Sequence, residues 1–297
     1  MIILPEKSNF LMIPKEISSL EKSQAVILSA PYEASVSYGK GTKKGPKAII
    51  NSSHFVEFYD DEFDNELCFE KGIATVKELD FGKLKNKAAM DFLYNKVKTV
   101  LNLKKFCIVL GGEHSISLAP IKAHHEVYKN LSVLHFDAHS DLREKYHNNP
   151  YSHASVMARV CEFLDPKKIV QVGIRAQCVE ESRFIKENKI NTFYATAIRT
   201  GKHGKNWQKE IAKKLTSNVY VTFDVDYFDP AIMPSTGTPE PNGFLWDETM
   251  QIFREMKKLG KNIVGFDVVE LAPVKNVPHP DYLAAKLTYK LLNYALN

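Results

Sequence analysis

The chain has 297 residues, of which 44% are hydrophobic and 11% aromatic; this is enough apolar material for a large core, and it excludes disordered and collagen-like classes. The formal net charge of +5 comes from lysines scattered along the whole chain, which favours solubility and argues against nucleic-acid binding. The four cysteines are well separated, and there is neither a leader-like segment nor an apolar run of the ~20 residues that a membrane helix needs, so we expect a cytoplasmic protein without a membrane segment.

Short apolar runs alternate along the chain with amphipathic segments of helical period. We predict strands at residues 25–30, 72–76, 106–110, 132–137, 168–174, 190–194, 219–224 and 262–269. The clearest helices are predicted at residues 88–103, 247–260 and 281–296. Continuous apolar strands that alternate with helices indicate a parallel sheet covered on both faces, so we expect a single α/β domain of three layers over residues 1–297.

Ionisable side chains follow three of the predicted strands directly. The segment "GGEHS" follows residues 106–110, "DAHSD" continues from the strand at 132–137, and "DVDYFDP" continues from the strand at 219–224. Ligand sites of parallel sheets form outside the carboxyl ends of the strands, and alternate residues of an extended chain share one face. The side chains that we expect to meet there are His114, Asp137, His139, Asp141, Asp224 and Asp226.

Four aspartates and two histidines at the dry end of a sheet need a compensating cation. Grouped like charges cost several kcal/mol per ion when they are buried without a partner, which argues against a purely structural polar cluster. A carboxylate-rich set of this size suits two ions about 3.5–4 Å apart. Oxygen-rich ligands with some imidazole favour Mn²⁺, so we predict a dinuclear manganese centre.

Five segments in the same order resemble the motifs of one family. "GGEHS", "FDAHSD", "FDVDYFDP", "GTPEP" and "FDVVELAP" lie between residues 111 and 273 and resemble the ureohydrolase family of arginases and agmatinases. Residues 30–49, "APYEASVSYGKGTKKGPKAI", resemble the amino-terminal loop and first helix of that family. The resemblance implies a three-layer α/β/α fold around an eight-stranded parallel sheet, two Mn²⁺ per chain bound by the six residues above, and a homo-oligomer, either a trimer or a hexamer.

The resemblance also implies roles in catalysis and substrate binding. Glu270, in "FDVVELAP", would bind the guanidinium of the substrate, and His153, in "YSHASVM", would contact it and shuttle protons. A guanidinium carbon is a poor electrophile, so the reaction needs a strong nucleophile, which a hydroxide bridging two metals supplies near neutral pH. Asp141 would then pass a proton to the departing amine, while His153 would exchange protons with bulk water.

Some of these residues have plainer interpretations. Glu270 could be a helix-capping or surface glutamate, and His153 could cap the helix that follows it. His135 lies one step deeper than Asp137 on the same strand face, so we interpret it as a buried histidine beside the ligands rather than a seventh ligand. Asp229 precedes a proline and is expected to be a turn residue or a neighbour of the ligands.

The substrate is predicted from the loop at residues 142–154, "LREKYHNNPYSHA". This loop lacks the Asn- and Ser-rich pattern with which arginases hold an amino acid, and it resembles agmatinases, as do "GGEHS" and "GTPEPNG" around the substrate-binding candidate Glu240. We therefore expect hydrolysis of agmatine to putrescine and urea, a step that feeds polyamine biosynthesis. The alternative substrates are 4-guanidinobutyrate, aminopropyl-agmatine and arginine; Arg143 and Lys145 would pair with a carboxylate if they face the pocket.

Two other functional classes compete with this interpretation. A non-catalytic regulator that binds metal or polyamine would be favoured by loss of a ligand, of Glu270 or of the shuttle histidine, and each of these positions is filled. A deacetylase with a single metal would leave His114, Asp141 and Asp226 unexplained. Counting the bound metals per chain separates a deacetylase from a ureohydrolase.

Two positions depart from the usual pattern of the family. Thr222 stands where serine is more usual, on the opposite side of its strand from Phe223. In residues 272–287, valine and His279 occur where the family more usually has an Asp-rich segment. The second departure concerns the rim of the predicted pocket rather than the metal ligands.

Overall fold

A computed structural model describes residues 1–297. The strands are β1 (Ala25–Ala30), β2 (Ile73–Thr75), β3 (Phe106–Gly111), β4 (Leu131–Phe136), β5 (Ile169–Val172), β6 (Asn191–Phe193), β7 (Asn218–Asp224) and β8 (Asn262–Val269). The helices are α1 (Lys15–Ser18), α2 (Gly45–Ser53), α3 (Leu67–Lys71), α4 (Asn86–Asn102), α5 (Leu118–Val127), α6 (Val156–Val160), α7 (Val179–Asn188), α8 (Ala195–Arg199), α9 (Trp207–Lys214), α10 (Trp246–Lys258) and α11 (His279–Leu296). Short 3-10 turns, including His114–Ser117, His153–Ser155 and Val225–Tyr227, join several of them.

All eight strands form one sheet in the order β2-β1-β3-β8-β7-β4-β5-β6, and every neighbouring pair is parallel. The predicted α/β fold with an eight-stranded parallel sheet is therefore confirmed. The predicted strand at 168–174 extends too far, because β5 stops at Val172 and Gly173 adopts a φ of 97° that ends the extended chain.

Apolar residues on the two faces of the sheet build separate cores. Ile27 and Ile108 face a core that contains buried residues of α2, α9, α10 and α11, whereas Val26 and Cys107 face a core shared with α4 and α5. A third cluster places β4 residues against α6 and α7. Since side chains alternate along a strand, this division makes three layers, with helices on both faces of the sheet.

The three helices predicted from periodicity correspond to α4, α10 and α11. The stripe predicted as core packing on α11 lies inward, with Leu287 and Leu291 fully buried and Leu283 packed against the same core. Each of the three helices begins one or two residues earlier than its periodic stretch. None of the helices combines the length and the apolar character needed to cross a membrane.

Candidate metal centre

The candidate centre lies at the carboxyl edge of four neighbouring strands. β3, β8, β7 and β4 are adjacent in the sheet, in that order. Each of them delivers polar side chains at or just after its last residue: His114 follows β3, Glu270 follows β8, Asp224 ends β7 and Asp137 follows β4. The strand order thus brings together side chains that are far apart in the sequence.

The turn after β3 depends on a glycine that no other residue could replace without rearrangement. A Cβ atom added to Gly112 would lie 2.0 Å from the carbonyl oxygen of Tyr32, a backbone atom. The close approach allows the N–H of Glu113 to donate to that carbonyl at 2.9 Å. The loop after β1 is therefore packed tightly against the turn that delivers His114.

The turns after β4 and β7 use an aspartate to cap the following backbone. Asp137 Oδ1 accepts from the N–H of His139 at 2.5 Å, and Asp224 Oδ1 accepts from the N–H of Asp226 at 2.8 Å. β4 ends at Phe136, and Asp141 has a φ of 52°. The aspartates and histidines therefore converge through tight turns and not, as strand alternation suggested, through continued extended chain.

Two groups of donor atoms meet at Asp137. His114 Nδ1 lies 3.0 Å from Oδ2 of Asp137 and 3.0 Å from Oδ2 of Asp141. His139 Nδ1 lies 3.4 Å from Oδ1 of Asp137 and 2.9 Å from Oδ2 of Asp226. Both groups are compact enough to hold a metal ion, and each uses a different oxygen of Asp137. The arrangement suits two ions that share one carboxylate.

Asp224 joins the group around His114, because its Oδ2 lies 3.4 Å from His114 Nδ1. The structure thus brings together all six of the residues predicted from the sequence. That these six residues bind metal ions stays a prediction.

The chemistry of the donor set fits divalent cations. His114 Nδ1 is buried and makes no hydrogen bond of acceptable geometry, although three carboxylates surround it. Burial, followed by the charge of Asp137, raises the pKa of Asp141 to about 7, and burial also raises the pKa of Asp224 well above the ordinary range. Burial thus outweighs the neighbouring histidines and favours the neutral carboxyl form, and a bound divalent cation would compensate the charge of the ionised form.

Two further residues lie beside the donor groups: Asp229, and His135, which is close enough to His114, Asp137 and Asp141 to count with that group, so its exclusion as a ligand stays a prediction. His135 lies between Gln171, whose amide is 3.1 Å from Nδ1, and Asp137, whose Oδ2 is 2.7 Å from Nε2. Both ring nitrogens of His135 are therefore in hydrogen bonds with protein groups. Asp229 accepts from the N–H groups of Ala231 and Gly243 and acts as a turn residue.

Glu270 forms part of the wall of a small inner cavity of about 20 Å³ beside the donor groups. One of its oxygens, Oε1, accepts from the backbone N–H of His114 at 2.6 Å, and the other receives no hydrogen bond from the protein. The residue is buried and has a φ of 65°. Burial raises the pKa of Glu270 well above the ordinary range, so the ionised carboxylate is favoured there only when a cationic partner is present.

An outer cavity of about 220 Å³ adjoins the inner one. His153 lines both cavities, and Glu240 lines the outer one. Arg143 also lines the outer cavity; its Nε lies 3.9 Å from Glu181 and its guanidinium lies over a tyrosine ring. Lys145 is exposed and is not part of the wall, so only one of the two cations considered from the sequence faces the pocket.

Sequence reasoning missed a buried group behind His114. Asp267 is fully buried within β8 and accepts hydrogen bonds from the hydroxyls of Ser117, Thr222 and Tyr220 at 3.0, 2.7 and 2.8 Å. The available signal was an acidic residue inside the apolar run "NIVGFDVV". A buried carboxylate in a core strand needs donors, and here three hydroxyls provide them.

Sequence reasoning also missed Arg175, which holds the segment next to the site. Its guanidinium donates to the backbone carbonyls of Asp226, Glu240 and Pro241, at 2.6, 3.0 and 3.0 Å. The guanidinium therefore ties the turn that carries Asp226 to the loop that carries Glu240. The motif around Arg175, "VGIRAQC", offered no local indication of this role.

Comparison with known proteins identifies the family of the chain. The sequence profile of the Arginase family matches residues 23–293, so the chain belongs to the arginase family. An N(1)-aminopropylagmatine ureohydrolase of Synechocystis sp. is 36% identical over 94% of this chain and 91% of its own length. An agmatinase of Bacillus cereus is 35% identical over 88% and 87% of the two chains. The crystal structure of the agmatine ureohydrolase of Thermoplasma volcanium superposes with a TM-score of 0.83 at 28% identity, covering 92% of this chain and 90% of that one.

Proposed function

We propose that the protein hydrolyses agmatine to putrescine and urea, using two Mn²⁺ ions per chain bound by His114, Asp137, His139, Asp141, Asp224 and Asp226. The chain is a hydrolase of guanidino carbon–nitrogen bonds by its family and its relatives. The observation that carries the proposal is a pair of donor groups that share Asp137 beside a cavity bordered by Glu270. Oxygen-rich ligands with imidazole support manganese.

The residues around the cavity have separate tasks in this reaction. When bound, the two cations would make hydroxide available near neutral pH by lowering the pKa of water to about 7. Glu270 offers its free Oε2 to the planar guanidinium and orients its carbon towards the donor groups. Asp141, buried beside the donor groups, is placed to pass the proton that the departing amine requires.

His153 connects the inner cavity to the outer one and can relay protons between them. Burial lowers the pKa of His153, which keeps the ring neutral and ready to accept a proton. At the far end of the substrate, the outer cavity presents Glu240, whose carboxylate suits an ammonium group, whereas both oxygens of Glu181 already accept from the N–H groups of Leu142 and Cys178. The charge of Glu240 favours agmatine over a substrate that ends in a carboxylate.

A second candidate substrate is N(1)-aminopropylagmatine. The outer cavity of about 220 Å³ leaves room for a longer amine. The relative from Synechocystis is named as a ureohydrolase of this compound. Arg143 on the same wall approaches Glu181 only through Nε, at 3.9 Å, and is the cation that would pair with the carboxylate of 4-guanidinobutyrate. Steady-state kcat/KM values for agmatine, aminopropylagmatine, 4-guanidinobutyrate and arginine rank the four, and a value for any other compound well above that for agmatine would reject our choice.

We further propose that residues 1–297 form one domain, that the chain assembles as a trimer or hexamer, and that it supplies polyamine synthesis in the cytoplasm. All four cysteines are free thiols, which supports a reducing compartment. Size-exclusion chromatography with light scattering measures the mass of the purified protein, and a monomer at micromolar concentration would contradict the proposed assembly.

The test of the function is urea release from agmatine by protein purified without metal and then supplied with Mn²⁺. We expect activity to appear with the metal and to vanish in His139→Ala. This substitution removes the ring nitrogen that lies beside Asp137 and Asp226 in one of the two groups of metal-binding atoms. Metal analysis should find two ions per chain in the wild type. Two bound ions without turnover of any guanidine would reject the proposed reaction while leaving the metal centre in place.

A further inference from the structure

A buried carboxylate lies behind His153, and a single hydroxyl group connects it to the histidine ring. Glu113 is fully buried and accepts four hydrogen bonds. Its Oε2 accepts from the backbone N–H groups of Ala34 and Ser35, both at 2.6 Å, and its Oε1 accepts from the hydroxyls of Ser35 and Ser115 at 2.7 and 2.6 Å. Backbone N–H groups can only donate, so the carboxylate serves as an acceptor on this side.

Ser35 uses its full hydrogen-bonding capacity between Glu113 and His153. A hydroxyl has one proton and two lone pairs. The proton goes to Glu113, and the lone pairs face the backbone N–H of His153 at 3.0 Å and its ring Nδ1 at 3.2 Å. Since Ser35 has no second proton to give, Nδ1 must be the donor in that contact.

These hydrogen bonds fix which ring nitrogen of His153 carries the proton. With its proton on Nδ1, the neutral imidazole of His153 keeps the lone pair on Nε2, which makes no hydrogen bond to the protein. His153 lines both cavities, so this lone pair is available to a substrate or to water. Which nitrogen of a histidine carries the proton is set by the partner of the other nitrogen.

We propose that Ser35 and Glu113 are positioning residues that hold His153 in the Nδ1-protonated form and aim Nε2 at the substrate. The inference rests on the proposed function, because it takes His153 to exchange protons with the substrate. It follows the logic by which a carboxylate orients a catalytic histidine, here with a serine hydroxyl interposed. This role of Glu113 could not be predicted from its position in "GGEHS".

A single substitution should reverse the ring's protonation. In Glu113→Gln, the amide oxygen must face the N–H groups of Ala34 and Ser35, which leaves the NH₂ group facing the Ser35 hydroxyl. Ser35 would then accept from the amide and release its own proton to Nδ1 of His153. The neutral ring would carry its proton on Nε2, where it can no longer accept one.

Kinetics of the manganese-loaded enzyme test the relay through a double-mutant cycle. We expect Ser35→Ala to lower kcat for agmatine by about 10- to 100-fold with little change in KM, and Ser35→Thr to retain activity because the hydroxyl remains. In a His153→Ala background, Ser35→Ala should cause no further loss. An equal loss in both backgrounds, at unchanged metal content, would overturn the proposal and assign Ser35 a purely structural role.

Neutron diffraction tests the same relay without turnover. Crystals of the metal-loaded protein at alkaline pH, where the ring is neutral, should show deuterium on Nδ1 of His153 in the wild type and on Nε2 in Glu113→Gln. Deuterium on Nε2 in the wild type would overturn the relay. If the wild type hydrolyses no guanidine, the proposed function fails, whereas the deuterium positions still decide whether the relay exists.

Discussion

His114 is held by hydrogen bonds that lead away from the cavity. Its Nε2 lies 3.0 Å from Oγ1 of Thr222, which donates to Oδ1 of Asp267 at 2.7 Å. Because the Thr222 proton is committed to Asp267, Nε2 is the donor towards Thr222, and the lone pair lies on Nδ1. That atom faces Asp137 and Asp141, so the buried group behind His114 prepares it to bind a cation.

Replacing the hydroxyl of Thr222 should therefore weaken metal binding. Thr222→Val keeps the shape of the side chain but removes the partner of His114, and we expect the affinity for one of the two Mn²⁺ ions to fall by about 10- to 100-fold. Thr222→Ser retains the hydroxyl and serves as the matched control. Titration calorimetry of metal-free protein with Mn²⁺ measures both sites, and an unchanged isotherm for Thr222→Val would show that the hydroxyl does not orient His114.

Local sequence sufficed to predict which acidic and imidazole side chains meet, but not what supports them. Asp137, His139 and Asp141 lie within five consecutive positions at one strand end, so any parallel sheet brings them to its edge. By contrast, Thr222 and Asp267 are 45 residues apart, and Ser35 and Glu113 are 78 apart. Such pairs depend on the order of strands in the sheet, which no local pattern encodes.

At the scale of elements, apolar strands and long helices could be read from the sequence, whereas short helices could not. All eight strands were predicted; β1, β2, β4 and β5 are buried throughout, and β3, β7 and β8 are buried except at their first residue. The helices α1, α3, α6 and α8 contain only four or five residues, too few to show a helical period. The order β3-β8-β7-β4, which assembles the candidate site, emerged only from the structure.

The contact between α5 and β8 contains a buried histidine remote from the strand ends. His124 is fully buried, and its Nε2 occupies the space where a Cβ of Gly265 would lie, 2.2 Å away. Its Nδ1 lies 2.7 Å from the carbonyl of Pro120, and Nε2 has no hydrogen-bond partner. Burial lowers the pKa of His124 to about 4, because a charged ring at this position would be desolvated.

The buried histidine should make folding stability depend on pH. Between its ordinary value of 6.5 and about 4, the unfolded chain binds a proton on His124 that the folded protein does not bind. The free energy of unfolding should therefore fall by about 3 kcal/mol as the pH drops through this window, with no further loss from this residue below pH 4. Urea unfolding of metal-free protein across the window measures the slope.

The contribution of His124 is isolated by comparing two neighbouring substitutions. His124→Asn can still donate to the carbonyl of Pro120 but does not titrate, so it should flatten the pH dependence relative to the wild type. His125→Asn, one residue further along the same helix, should retain the slope because His124 is still present. Equal slopes in the wild type and in His124→Asn would contradict the assignment.

On the scale of the whole molecule, one buried ion pair fastens the last helix to a distant loop. Lys290, on α11, contacts both oxygens of Asp60 at 2.7 and 3.0 Å and one oxygen of Glu62 at 2.9 Å. Both Lys290 and Asp60 are buried. Although burial acts in the opposite direction, hydrogen bonds from Tyr294, Lys290 and Arg254 lower the pKa of Glu62 to about 2. The stabilisation from Glu62 is thus present above its ordinary pKa near 4.5 and is lost as the pH falls towards 2.

Breaking this ion pair should destabilise the whole fold, because α11 packs into the larger core of the sheet. Lys290→Met leaves Asp60 buried without its cation, and we expect a loss of about 3–5 kcal/mol in the free energy of unfolding. Lys286→Met, one turn earlier on the same helix and in no ion pair, is the matched control. Adding Asp60→Asn to Lys290→Met should recover part of the loss, since it removes the unpaired charge. Guanidinium chloride unfolding measures all variants, and a Lys290→Met protein as stable as the Lys286→Met control would show that the pair does not fasten α11.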